Sequence, residues 1–352
     1  MLDLEDMALP LSDNNANGNE NRQYSRRRSS GTTARPDLIL QSLLDLNPRN
    51  EFDRKRFNGH AVIELVRRNP SAAQAKYSFQ LFHKAQTGDL SCYPLHMAIA
   101  LGASVRVVTA LHDAFPQATK EKSTSYIGRN ALHVACLFNA SYDVVSFLLQ
   151  EYPDAVSEKD RFGQTPFHYA CMSADVPLEI ISLMLKKCPC IITEKTESGQ
   201  TPLCLARTRR GSAYDLVKLL LERDPYAVKE RDFRHKTPLD YRSDKEEVVG
   251  YRSDKEEVVE AMMCVDRLLN NCGSDWGKDE NGVVEEIARQ FVRRKWWGGM
   301  IIIFKLYPTT ALQFLNVEDG IVPNVLALVG CNCDMQTMWE VIRNRQDLLS
   351  VR

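Results

Sequence analysis

The chain has 352 residues, of which 45 are basic and 46 acidic, so its formal net charge at pH 7 is −1. Charge this balanced supplies no overall field for a nucleic acid or an anionic membrane, and neither partner is expected. Ten cysteines with no secretory signal and no regular pairing fit thiols in a reducing compartment, the cytoplasm or the nucleus, better than a disulfide framework.

Residues 1–36 are rich in Asn, Ser, Arg and Gly and almost free of apolar side chains after Leu11. Such a segment buries too little surface to offset its ordering entropy, so a disordered tail is expected. Within it Arg26-Arg27-Arg28-Ser29-Ser30 places arginines ahead of both serines, a pattern a basophilic kinase reads, which makes Ser29 and Ser30 candidate phosphorylation sites. From Asp37 apolar residues fall at helical spacing, and Val62 to Pro70 reads as the second helix of an incomplete first unit. Residues 37–92 are therefore assigned to an N-terminal helical capping region.

Tyr93-Pro94-Leu95-His96, Asn130-Ala131-Leu132-His133, Thr165-Pro166-Phe167-His168, Thr201-Pro202-Leu203-Cys204 and Thr237-Pro238-Leu239-Asp240 recur every 35 to 37 residues. Self-similarity at that period marks stacked supersecondary units. In the best-formed unit Thr165 suits a helix N-cap and Pro166 the first turn, where no amide hydrogen is needed. Phe167, Ala170 and Cys171 share one face of that helix, and Leu178 to Leu185 forms a second helix that stops before Pro189. Second helices at Val105–Leu111, Asp143–Gln150 and Tyr214–Leu221 end ahead of Pro116, Pro153 and Pro225 in the same way. Between units, Gly128, Gly163 and Gly199 occupy tight turns in which glycine takes a positive φ. Residues 93–236 thus hold four clear units.

Turn positions extend the period: His235 replaces the next glycine, and Gly282 and Gly320 follow at intervals of 47 and 38 residues. The long interval contains Tyr241–Val249 repeated verbatim as Tyr251–Val259. Removing those ten residues restores the period, so 237–283 is read as a fifth unit with a ten-residue duplication. Residues 284–352 are read as degenerate C-terminal repeats and a cap. Either one copy bulges out or the helix is extended, and a verbatim repeat is also what a duplicated exon edge in a gene model produces. The apolar stretch Trp296–Phe304 is nine residues long; a membrane-spanning helix needs about 20, so a buried helix is expected, with Gly298-Gly299 as a kink or a close-packing point.

The motifs resemble the ankyrin repeat, in which a turn precedes Thr-Pro-Leu-His and a Leu-rich second helix follows; Asp160-Arg161-Phe162-Gly163 and Thr165–Ala170 match it most closely. The resemblance implies an all-α, ankyrin-type helical repeat solenoid of paired antiparallel helices. It makes His96, His133 and His168 structural, because in the family the motif Thr and His fix the turn against the next unit. The usual period is 33 residues, so this chain is similar to a divergent, longer-unit group abundant in unicellular algae. Cys204 and Asp240 replace the motif histidine, and His235 stands where a positive φ costs strain.

No glycine-rich phosphate loop, GxSxG elbow or HExxH occurs, so no catalytic residue, cofactor or metal is assigned. Cys188-Pro-Cys190 and Cys331-Asn-Cys333 lack a second pair at metal-binding spacing. The acidic run Asp244–Glu247 and its copy, and the basic clusters Arg207–Arg210 and Arg293–Lys295, read as solvated surface. The leading function is a non-catalytic protein-protein interaction scaffold that binds an unidentified protein in a groove lined by turn tips and first helices. The tips are Tyr126-Ile127, Arg161-Phe162, Glu197-Ser198 and Phe233-Arg234, and aromatic and Arg residues are the types that most often carry binding energy. The alternative is a phospho-regulated signalling or degradation adaptor whose tail selects partners, with an enzyme the remote third.

Overall fold

The computed structural model describes residues 35–78, 91–123, 127–173, 176–208, 213–241, 252–271 and 280–307. The tail with Ser29 and Ser30, Tyr126, the first copy of the duplication after Tyr241, Gly320 and the Cys331–Cys333 pair lie outside the described residues. The described residues are helical apart from one two-residue strand pair, so the fold is all-α.

At the N-terminal end, α1 (Pro36–Leu44), α2 (Glu51–Arg56) and α3 (Gly59–Arg68) precede the short strands β1 (Tyr77–Ser78) and β2 (Ser91–Cys92), which pair antiparallel. Asn50 and Asn58 cap α2 and α3 through their side chains, offsetting the unpaired amides of a helix start. Leu40, Leu44, Val62 and Val66 are fully buried and close the core at this end.

Four helical hairpins follow: α4 (Pro94–Ala100) with α5 (Val105–Ala114), then, past the one-turn α6 (Gln117–Lys120), α7 (Ala131–Leu137) with α8 (Tyr142–Glu151), α9 (Pro166–Met172) with α10 (Leu178–Lys187), and α11 (Pro202–Arg207) with α12 (Tyr214–Arg223). The first helices form one row, each of α4, α7, α9 and α11 packing on the next, while α3, α5, α8 and α10 form the second row. Small residues set the approach within the first row: Ala98, Ala135, Ala170 and Ala206 are each 0% exposed. Large side chains such as Phe167 and Leu132 fill the layer between rows, each stabilising by about 1.5–3 kcal/mol.

Every second helix ends in the same conformation, for the same reason. Asn69, Phe115, Tyr152, Cys188 and Asp224 each precede a proline and all have φ between −153 and −138° with ψ between 74 and 91°. Proline's Cδ expels its predecessor from the helical region, so the chain leaves each second helix at one angle.

Beyond α12 the structure departs from the expected continuation. The first helix of the fifth unit is a single 3-10 turn, Pro238–Asp240. After it, α13 (Arg252–Asn271), twenty residues long, begins within the second copy of the duplication. Gly282 is not a turn glycine: it lies inside α14 (Glu280–Arg293), whose charged, helix-favouring sequence overrides one glycine. α15 (Trp297–Leu306) runs without a kink and is buried from Gly298 to Phe304. It packs on α12, α13 and α14 together, which closes the second-helix row.

The two glycines of α15 are close-packing points. A Cβ on Gly298 would lie 1.8 Å from Glu222 Oε1, and one on Gly299 would lie 2.6 Å from Phe291 Cδ2. Glu222 accepts a hydrogen bond from Trp296 Nε1 at 2.7 Å, and burial raises its carboxyl pKa. Arg294 pairs with Glu260, and the Tyr307 hydroxyl donates to Leu268 O at 2.6 Å.

Candidate functional site

The turns between units are built from three consecutive residues that recur with the units: Glu121-Lys122-Ser123, Glu158-Lys159-Asp160, Glu194-Lys195-Thr196 and Glu230-Arg231-Asp232. The third residue closes the turn. Asp160 Oδ1 accepts from Phe162 N and Gln164 N, both at 2.9 Å, and Asp232 Oδ1 accepts from Arg234 N at 2.9 Å and Lys236 N at 2.7 Å. Thr196 does the same more weakly, accepting from Gln200 N at 3.1 Å. Local bonds of this kind are why Asp and Thr favour turns.

The second residue ties one turn to the next. Lys122 Nζ donates to Lys159 O at 2.8 Å, Lys159 Nζ reaches Lys195 O at 3.2 Å and Glu194 at 2.7 Å, and Lys195 Nζ meets Glu230 at 2.6 Å. Exposed pairs of this type contribute about 0–1 kcal/mol each; they hold register more than they stabilise. Turn backbones are joined as well: Arg161 N donates to Ile127 O at 2.9 Å, Glu197 N to Phe162 O at 2.9 Å and Phe233 N to Ser198 O at 3.1 Å.

Glycine makes this stacking feasible. Gly128, Gly163 and Gly199 have φ of +67, +69 and +79°, a region that costs other residues about 1–2 kcal/mol. At Gly163 an added Cβ would lie 2.6 Å from Glu197 N and at Gly199 2.9 Å from Phe233, whereas at Gly128 nothing lies within 4 Å. His235 adopts φ +60° at the equivalent place, where Arg231 Nη1 donates to its carbonyl at 2.7 Å.

The motif histidines sit behind the turns. His168 Nε2 lies 3.1 Å from Glu194 O, and its Nδ1 accepts from Thr165 N at 3.0 Å. A carbonyl only accepts, so the ring carries its proton on Nε2. His133 makes the equivalent bonds, to Gln164 O at 3.0 Å and from Asn130 N at 3.2 Å. Burial lowers their pKa to about 4 and about 3, which keeps both rings neutral. In the first unit Tyr93 replaces the capping Thr or Asn and its hydroxyl goes to Glu121 instead. There His96 is 2% exposed, its pKa lowered to about 4 by burial, and its ring meets the Glu121 backbone at poorer geometry than His133 and His168 meet Gln164 O and Glu194 O.

The expected tip residues project unevenly. Arg161, Glu197, Ser198, Phe233 and Arg234 are exposed, while Ile127 and Phe162 are half-buried. Phe233 stands out at 74% exposure, flanked by exposed Arg231, Arg234 and Lys236. The first helices, expected to line the groove with the tips, are not available: α4 is buried throughout, and α7, α9 and α11 are buried up to their last residue. At the position after the motif histidine, Tyr169 shows the reason. Its hydroxyl donates to Asp160 at 2.7 Å and accepts from Arg129 at 2.9 Å, with the guanidinium 4.8 Å from the ring centre. The side chain that would face a partner is spent on the turn.

Among the described residues, no group of three or more His, Cys, Asp or Glu side chains could hold a metal ion, and no helix is long and apolar enough to cross a membrane. The basic cluster at the C-terminal end is engaged through Arg294, and the described part of the other, Arg207, is half-buried with its Nε unpartnered. Comparison with known families finds a single ankyrin repeat at residues 127–161 and ankyrin repeats in three copies at residues 152–232. No curated protein matches the chain. Ankyrin repeats are protein-protein interaction modules, typically non-catalytic. With paired helices, stacked glycine turns and the Asn130–His133 and Thr165–His168 capping pairs, residues 127–232 carry ankyrin repeats.

Proposed function

We propose that this chain is a non-catalytic scaffold that grips a partner protein along the row of turn tips, with Phe233 as the anchor. The observation that carries this reading is the exposure of Phe233 on a backbone already fixed by its bond to Ser198. A large apolar side chain held still in solvent gains contact area on binding with little further ordering cost. Arg234, exposed on the same turn, adds a donor suited to carboxylates. Packing and turn closure occupy the framework residues, leaving the tips free to specify the partner.

The test is affinity capture with the full chain, followed by titration of the captured partner against Phe233→Ala and Arg234→Ala. Loss of an anchor costs upward of 1.4 kcal/mol, a tenfold weaker Kd. Tyr226→Ala, exposed on the turn after α12, serves as the control and should bind as the parent does. Deleting residues 1–34, which leaves α1 whole, should also preserve binding. Unchanged affinity in both tip variants would sink the assignment, and loss on deletion of the tail would favour the adaptor reading.

A further inference from the structure

Cys188 and Cys190 are the described cysteines that are not buried; Cys92, Cys136, Cys171, Cys204 and Cys264 all lie in the interior. Burial pushes the Cys136 thiol up to about 12 and Cys264 to about 11, which leaves them without nucleophilic character. Cys188 and Cys190 face each other across Pro189 with Sγ···Sγ at 3.0 Å. A disulfide requires about 2.05 Å, so the sulfurs need to close by only about 1 Å.

The backbone on both sides of the pair is already held. The Cys188 N–H donates to Met184 O at 2.9 Å, and Cys190 O accepts from Thr193 N at 3.2 Å and Thr193 Oγ1 at 3.0 Å. Pro189 between them fixes its own φ. Ile191 and Ile192, immediately after, are buried in the core. Closing the ring therefore asks for rotation of two side chains and no movement of the fold. The two thiols are unequal: Cys190 is exposed and Cys188 half-buried, with Cys188 raised in pKa by burial and then by the neighbouring sulfur. Exposed Lys186 and Lys187 end the same helix and supply attraction for an anionic reagent.

We infer that Cys188 and Cys190 form a redox-active dithiol site that is oxidised by low-molecular-weight anionic disulfides of the glutathione class. The exposed Cys190 thiolate attacks one sulfur of the disulfide, forming a mixed disulfide and expelling one thiolate, which takes up a proton. Cys188 then gives its proton to solvent, and its sulfur attacks the Cys190 sulfur, expelling the second thiolate. Cys190, like Cys188, gives its proton to solvent, and the second expelled thiolate takes one up as the first did; the protein loses two protons and two electrons, and the small disulfide is reduced to two thiols. This inference is independent of the turn-tip reading, because neither cysteine is one of the tip residues.

The sequence provides a clean readout. Trypsin cuts after Lys187 and Lys195, releasing Cys188–Lys195 with both sulfurs and no other cysteine. The folded full chain is equilibrated with graded ratios of reduced and oxidised glutathione, quenched with acid, alkylated and digested. The wild-type peptide is expected to lose both alkylation sites together, carry no glutathione and recover both on treatment with dithiothreitol. Cys188→Ser should trap glutathione on Cys190, whereas Cys190→Ser should gain little adduct. The wild-type result alone decides the case. A peptide that stays doubly alkylated under conditions that oxidise free dithiothreitol, or that keeps a glutathione adduct without closing the ring, would overturn the inference.

Discussion

Replacing Gly163 by alanine tests whether turn-on-turn stacking, rather than glycine's own flexibility, maintains the array. Two costs are separable. Placing an L-residue at φ +69° costs about 1–2 kcal/mol. The new Cβ would also lie 2.6 Å from Glu197 N, so the bond from Glu197 N to Phe162 O must break or stretch, at about 1–3 kcal/mol for a polar group left unpaired. Gly128→Ala is the matched control: its φ of +67° is nearly the same, but nothing lies within 4 Å of the added atom. Reduced freedom of the unfolded chain favours both variants by the same amount and cancels in the comparison. Urea unfolding of the full chain, followed by far-ultraviolet circular dichroism, should place Gly163→Ala about 1–3 kcal/mol below Gly128→Ala. Equal midpoints would refute the stacking argument, because they would leave only the backbone term.

Other expectations follow from the same geometry. His168→Leu orphans Glu194 O and the Thr165 amide and should cost about 2–4 kcal/mol, while His96→Leu, which gives up only a marginal contact with the Glu121 backbone, should cost less; thermal melts of the two variants at pH 7 decide it. Stability should fall on acidification: the folded pKa values of His133 and His168, about 3 and about 4, lie below the unfolded value near 6.5. Their contribution is complete above pH 6.5 and lost as pH falls toward 4, by up to about 2 kcal/mol each between pH 7 and pH 5. Urea midpoints across that range should slope less steeply in His168→Leu. Glu222→Ala should cost about 1–3 kcal/mol by leaving Trp296 Nε1 unpaired. Glu222→Gln keeps an acceptor and should retain wild-type tryptophan fluorescence, whereas Gly298→Ala should dislodge α15 and shift the emission to the red.

Much of the architecture was legible before any coordinates, because period and punctuation are local. The motif starts, the helix-ending prolines and the turn glycines each rest on one residue's backbone chemistry. The C-terminal end was not, because Gly282 looks the same in a list of spacings whether it turns the chain or sits in a helix; its charged helical surroundings were the better signal. The burial of the first helices was hidden too, since it depends on Tyr169 reaching Asp160 nine residues back and Arg129 in the preceding unit. The Glu-Lys ladder, by contrast, stands in the sequence at the motif period, but that each lysine reaches the following turn depends on how the turns stack.

The positions of the prolines carry a consequence for how such a chain tolerates change in length. Pro153 to Pro166, Pro189 to Pro202 and Pro225 to Pro238 are each thirteen residues, against fifteen from Pro116 to Ala131, so from α8 onward the stretch from the end of one second helix to the next first helix keeps one length. The connection inside the hairpin varies instead, from four residues between α7 and α8 to five between α9 and α10 and six between α11 and α12. The turn stretches are bonded to their neighbours at several points, whereas the connections inside the hairpins, joined through Ser173 and Asn139, vary in length. The first copy of the duplication, 241–249, falls immediately after Asp240 and before α13. An added segment there alters a single unit and leaves the spacing of all the others intact.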